Sequence, residues 1–153
     1  MRRSNKAIRA EDQQERLIQS GWVVGFVDGE GCFTIGFIKQ PDRPGRKGYR
    51  LGFQPYYELA VTQGASSKSA LVALKKFFGV GELYLNKRYD NHKEHLYRYT
   101  VRRRVDLLNV IIPFFEKYQL RTQKRKSFKV FSRGLRMIEQ GLHLRRSGLI
   151  KIM

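Results

Sequence analysis

The sequence has one cysteine, Cys32, in 153 residues. An intrachain disulfide and a cysteine-rich zinc site are thereby excluded, and His92, His95 and His143 lack metal-ligand spacing. Long hydrophobic runs are also missing. Nothing approaches the ~20 apolar residues that a membrane-spanning helix needs. The opening stretch, MRRSNKAIRAEDQQER, is basic but has no apolar segment of the kind a secretory signal carries. Glu11, Asp12 and Glu15 make a mitochondrial presequence the weaker alternative. The expectation is an intracellular protein with no membrane partner, in prokaryotic cytoplasm or an organelle interior. With no linker and no low-complexity stretch, a single domain over residues 13–153 is expected behind a basic, mobile arm over residues 1–12.

Acidic side chains are the largest shortfall. There are 13 against 31 Lys and Arg, a formal net charge of +18. A compact domain repels itself at such a charge unless a polyanion neutralises it, and nucleic acid is the partner that Lys and Arg serve best. A ribosomal-type basic protein is the bland alternative. A membrane surface fits less well, because the basic residues are spread along the chain.

Apolar periodicity predicts a helix over residues 13–29, with Leu17, Ile18, Trp22, Val24 and Phe26 as its apolar content. A strand follows over residues 32–39, with Phe33, Ile35 and Phe37 on one face. QPDRPGRKG is turn chemistry. A second strand spans Tyr49 to Gln63, with a bend or bulge expected at Pro55. From there Tyr57, Leu59 and Val61 face the core, while Tyr56, Glu58, Ala60 and Thr62 face away. Ser66 to Phe78 reads as a helix stopped by Gly79. A hairpin through residues 79–103 comes next, then a helix over residues 106–118 kinked or restarted at Pro113. A helix over residues 122–140 carries the stripe Phe128, Phe131, Leu135 and Ile138, and a short or irregular tail closes the chain. The fold class is α+β. An αββαββ core gives a four-stranded antiparallel sheet with helices on one face, plus further C-terminal helices. Its other face, left to solvent or a ligand, carries Thr34, Glu58, Thr62, Tyr84, Asn86, Arg88 and Arg98.

One stretch, GWVVGFVDGEGCF, sets a puzzle. Gly21, Gly25 and Gly29 form nearly one stripe on a helix. Each costs about 1 kcal/mol relative to alanine in a helix interior. A bare-backbone stripe implies close packing, against the same helix of a second subunit or against an internal element. The stripe runs into Asp28-Gly29-Glu30-Gly31. Carboxylates beside a basic surface repel DNA unless divalent cations sit between them and the phosphates.

VVGFVDGEG (Val23 to Gly31) resembles the motif of the LAGLIDADG homing endonucleases, in the branch with one motif per chain. ELAVTQ (Glu58 to Gln63), FGVGELY (Phe78 to Tyr84) and IIPFFEKYQLRTQKRKSF (Ile112 to Phe128) follow in the family's order. The resemblance covers roughly residues 15–130. It implies a homodimer joined through the motif helices, with Gly21, Trp22, Gly25 and Asp28 at the interface and Asp28 ordering the helix end. It also implies a saddle of two sheets on a long, nearly palindromic DNA duplex. Both strands would be cut with Mg²⁺ or another divalent cation such as Mn²⁺, leaving short 3′ overhangs. Glu30 stands where the family's metal-ligating acid, more often Asp, is found, and Gly29 offers a carbonyl. Gln63 matches the glutamine that helps place active-site water. Lys124, with Arg121 next in line, matches the basic residue that stabilises transition-state charge. Thr34, Ile38, Tyr56, Glu58, Thr62, Tyr84, Asn86, Arg88 and Arg98 are the expected DNA-facing positions, with Lys39, Arg46, Lys47, Lys87 and the basic arm on phosphates. The alternative is a non-cleaving binder on the same scaffold, a splicing maturase with intron RNA as partner or a regulator.

Overall fold

The computed structural model describes residues 5–40, 45, 48–87, 89 and 93–153, with side chains from residue 9 onward. Helix α1 spans Asn5–Glu30, and strand β1, Gly31–Lys39, follows it with no intervening loop. Residues 5–12 of the expected mobile arm are therefore helical. Residues 5–16 contain Ala, Arg, Glu and Gln and no Pro or Gly, so nothing in them stops a helix.

The absence of a loop depends on Gly31. A Cβ there would lie 2.6 Å from Val27 Cγ1 and 2.7 Å from the Val27 carbonyl oxygen. The strand leaves α1 by crossing its last turn at contact distance, which any larger residue blocks. Gly31→Ala is expected to destabilise the fold by about 1–3 kcal/mol, as overpacking does, and chemical denaturation would measure it.

Strand β2 spans Phe53–Gly64. It starts later than the expected Tyr49, because Gly52, at φ +72°, closes a turn by donating to the Tyr49 carbonyl at 2.8 Å. The expected bulge at Pro55 is absent: β1 and β2 pair without interruption from Gly31↔Val61 to Lys39↔Phe53. Pro55 is tolerated because β4 flanks β2 only from Leu59 to Gly64, so β2 is an edge at Pro55 on that side. A 3₁₀ turn and helix α2, Lys68–Phe78, lead to Gly79, which caps the helix in the left-handed conformation (φ +69°). Strands β3, Glu82–Asn86, and β4, Leu96–Val101, form the hairpin. The sheet is antiparallel in the order β1-β2-β4-β3.

The chain then runs through α3, Arg104–Asp106, a wide π turn over Leu107–Ile111, and α4, Ile112–Lys117. The wide turn immediately precedes Pro113, which cannot donate to the preceding turn. Helix α5, Lys124–Glu139, and α6, Arg146–Ile152, complete the fold.

The inner sheet face carries Phe33, Leu59, Val61, Tyr99 and Val101, all buried. Phe128, Phe131, Leu135 and Ile138 of α5 are buried against it. Phe33 stands within 5.2–5.6 Å (ring centroids) of Phe115, Phe128 and Phe131, in edge and tilted arrangements. From α1 the core receives Val23 and Val27. Leu17, Ile18 and Trp22 are exposed on the opposite side of that helix.

Candidate active site and nucleic-acid interface

The end of α1, the start of β1 and the start of α5 meet at one place. The Glu30 side chain is exposed and makes no hydrogen bond or ion pair among the described residues. Beside it the Lys124 ammonium donates to the Gly31 carbonyl. Lys124 is half-buried and Arg121 exposed, so of the two expected basic residues Lys124 is the one bound next to Glu30. Gln63 stands two residues beyond Val61, the partner of Gly31, and is therefore at the same end of the sheet. The Gly29 carbonyl belongs to the last turn of α1, whose oxygens have no intrahelical donor.

Asp28 holds this corner together from within the chain. Its carboxylate accepts the backbone N–H of Arg121 at 2.9 Å, that of Thr122 at 3.1–3.2 Å, and the Thr122 hydroxyl at 2.6 Å. Helix α5 opens with Lys124, Arg125 and Lys126 and has no acid in its first turn, the wrong charge for a helix N-terminus. Asp28 supplies the missing negative charge. Slight burial pushes its pKa up, but the Thr122 and Arg121 hydrogen bonds and the nearby Lys124 outweigh this and hold it below 3.8. A carboxyl with a lowered folded pKa adds stability above its unfolded value, and the gain is lost as pH falls through the folded value. Asp28→Asn should therefore be about 1–2 kcal/mol less stable than wild type at pH 7. Urea unfolding should show the gap narrowing as pH drops through 3.8 and below.

The outer sheet face is continuous across the four strands. Thr34 pairs with Glu58, Ile38 with Gln54, Thr62 with Arg98, and Arg98 with Tyr84, so these share a side with Tyr56 and Asn86. Thr34 and Thr62 are half-buried, while Ile38, Lys39, Tyr84, Asn86 and Lys87 are exposed. Arg46, Lys47 and Arg88 lie outside the described residues. Glu58 departs from expectation. It is only 2% exposed and cannot present itself to a ligand. Its carboxylate accepts from Arg98 Nη2 and, at 2.9 Å, from Arg102 Nε. Burial pushes the Glu58 carboxyl up, but the Tyr56 and Arg102 hydrogen bonds and both guanidinium charges pull it net down. Arg102 is absent from the residues expected at this surface. Strand parity from Arg98 through Thr100 would have reached it.

The glycine stripe faces outward. A Cβ at Gly21, Gly25 or Gly29 would meet nothing within 4 Å, so among the described residues no internal element packs on them. Exposed Leu17, Ile18 and Trp22 flank the stripe, and Trp22 stacks on Phe26 at 5.3 Å. Among the described residues no group of three His, Cys, Asp or Glu side chains converges as a metal site, and no helix is long and apolar enough to cross a membrane.

The sequence model described as LAGLIDADG endonuclease matches residues 23–133. The chain belongs to the LAGLIDADG endonuclease family. Among LAGLIDADG relatives, a probable intron-encoded DNA endonuclease 1 of Mycosarcoma maydis is 31% identical over 123 residues, covering 80% of this chain and 40% of that protein. The crystal structure of a homing endonuclease, I-TnaI, is 41% identical with a TM-score of 0.71, covering 87% of this chain and 82% of that one. I-SmaMI bound to an uncleaved DNA target in the presence of calcium ions is 26% identical, with a TM-score of 0.73, over 87% of this chain and 42% of that one. The chain spans 25% and 40% of the length of the first two curated relatives it matches. The matched region takes in the LAGLIDADG motif on α1, all four strands and the start of α5, and so includes the corner where α1, β1 and α5 meet.

Proposed function

We propose that two copies of this chain join through the glycine face of α1 and form a site-specific DNA endonuclease that cuts both strands of a long, nearly palindromic duplex. One observation carries the reading. The motif helix leaves a bare-backbone stripe with nothing within 4 Å of it, and that stripe ends at an exposed acid with no side-chain partner among the described residues. Two-fold packing along it sets two Glu30 carboxylates side by side. The donor set fits a hard divalent cation: Glu30 carboxylate and Gly29 carbonyl oxygens, with phosphate and water completing the ligands. Mg²⁺ or Mn²⁺ so held would supply charge stabilisation and an activated water for phosphodiester hydrolysis, leaving short 3′ overhangs.

The chain's own residues do the rest. Asp28 fixes the α5 start, and the Gly31 carbonyl fixes Lys124, so the ammonium is held where negative charge develops on the phosphate. Gln63, at the same end of the sheet, would orient a water. The outer face of the sheet and the basic residues around it hold the duplex. The protein would act in an organelle interior or prokaryotic cytoplasm. The test is cleavage of plasmid carrying the uninterrupted junction that flanks the gene, with Mg²⁺ and with EDTA. Linear product only with Mg²⁺ supports the proposal. Tight binding to that junction without a cut under Mg²⁺ or Mn²⁺ would favour a non-cleaving binder of DNA or intron RNA.

A further inference from the structure

We propose that Arg102 reads a guanine in the bound duplex and that the buried Glu58 is its positioning residue. The inference rests on the reading of the outer sheet face as a duplex-binding surface. A carboxylate at the middle of that face opposes the attraction between a +18 protein and phosphate, so its presence there needs a compensating use. Glu58 collects three donors: the Tyr56 hydroxyl, Arg98 Nη2 and Arg102 Nε. Both of its oxygens are therefore occupied by arginine.

The two arginines are held differently. Arg98 engages through a terminal nitrogen, and its Nε is buried with no partner, so the inner edge of its guanidinium is turned into the protein. Arg102 engages through Nε, so its hydrogen bond to Glu58 leaves the end-on fork, one N–H from each terminal nitrogen, uncommitted to that carboxylate, and its side chain is 54% exposed. Two parallel N–H donors match O6 and N7 of guanine in the major groove; adenine presents a donor at N6 and clashes with the same fork. Arg102 follows Val101, which pairs with Leu59, so the backbone holds it level with Glu58 on the sheet. A phosphate contact needs no such aim. A mobile lysine provides one, and the surface has many.

The test is selection of bound sequences from a randomised duplex library, with Ca²⁺ in place of Mg²⁺, by wild type, Arg102→Lys and Glu58→Gln. Wild type is expected to select a fixed guanine in each half-site. Arg102→Lys keeps the charge and loses the fork. It should lower discrimination at that one base roughly 5- to 150-fold and leave the salt dependence of binding unchanged. Glu58→Gln should relax the same base although it removes a negative charge from the face. Relaxation confined to that base in both variants supports the proposal. If Glu58→Gln fails to fold, Arg102→Lys still decides, because its side chain is at the surface. An intact guanine preference in Arg102→Lys overturns it, and so does uniformly tighter binding of all duplexes by Glu58→Gln. A wild-type selection with no consensus overturns the site-specific reading itself, and this proposal with it.

Discussion

Glu30→Gln is expected to bind its duplex as tightly as wild type and to cut it at least ~10³-fold more slowly. The side chain is exposed and has no partner among the described residues, so the change removes no contact that the fold uses. Shape and size are kept. Only the anionic oxygen is lost, and with it the ligand charge that a divalent cation needs at this position. Loss of the charge stabilisation and water activation that such an ion supplies raises the barrier by about 4 kcal/mol or more, which is the stated factor. Single-turnover cleavage together with a gel-shift titration separates the two effects. Cleavage within tenfold of wild type would place the chemistry elsewhere in the molecule. Weak binding with normal cleavage of what is bound would make Glu30 a DNA contact.

Gly25→Leu is expected to convert a dimer into a folded monomer with no double-strand cleavage. Inside one chain the substitution meets open space, since nothing lies within 4 Å of a Cβ at this position. It replaces the poorest ordinary helix former with one of the best, so the monomer should gain up to about 1 kcal/mol of stability. In the proposed dimer the same side chain lies between two backbones in contact and holds them apart. Association and stability therefore move in opposite directions, a pairing that a general folding defect cannot produce. Sedimentation equilibrium reads the first and thermal unfolding the second. A Gly25→Leu protein that remains dimeric would mean that α1 meets its partner by another face, or not at all.

Most of the architecture was legible because its signals are local. Strand alternation assigned the two sheet faces, and the stripe from Phe128 to Ile138 assigned the buried side of α5. Gly79 stopped α2 where a left-handed cap is needed. The misses at Pro55 and Glu58 share a cause: they depend on neighbours distant in sequence. Pro55 makes no bulge because β4 stops short of it, which the residues around Pro55 cannot reveal. Glu58 sits on the predicted face yet is buried, because Arg98 and Arg102, some forty positions later, close over it. Asp28 reads as a helix-end residue, and its partners are Arg121 and Thr122, more than ninety positions away. Residues 5–12 were assigned to an arm on charge alone, although their composition carries no helix breaker. At the candidate site, Glu30 and Gln63 stood out by motif. Only the structure shows that Lys124 reaches the Gly31 carbonyl, a contact that motif alignment could not supply.

The direct passage from Glu30 to Gly31 makes α1 and β1 a single rigid elbow. In a pair of such chains, tilting one helix against the other swings both binding faces and changes the distance between the two halves of the recognised sequence. In the proposed dimer that distance would be set by the helix pair, where no base is touched. If the proposed dimer forms, a lineage of such chains would move to new targets by exchanging side chains on the two sheets. It would not follow a target that gains or loses a base pair at its centre without rebuilding the helix pair first.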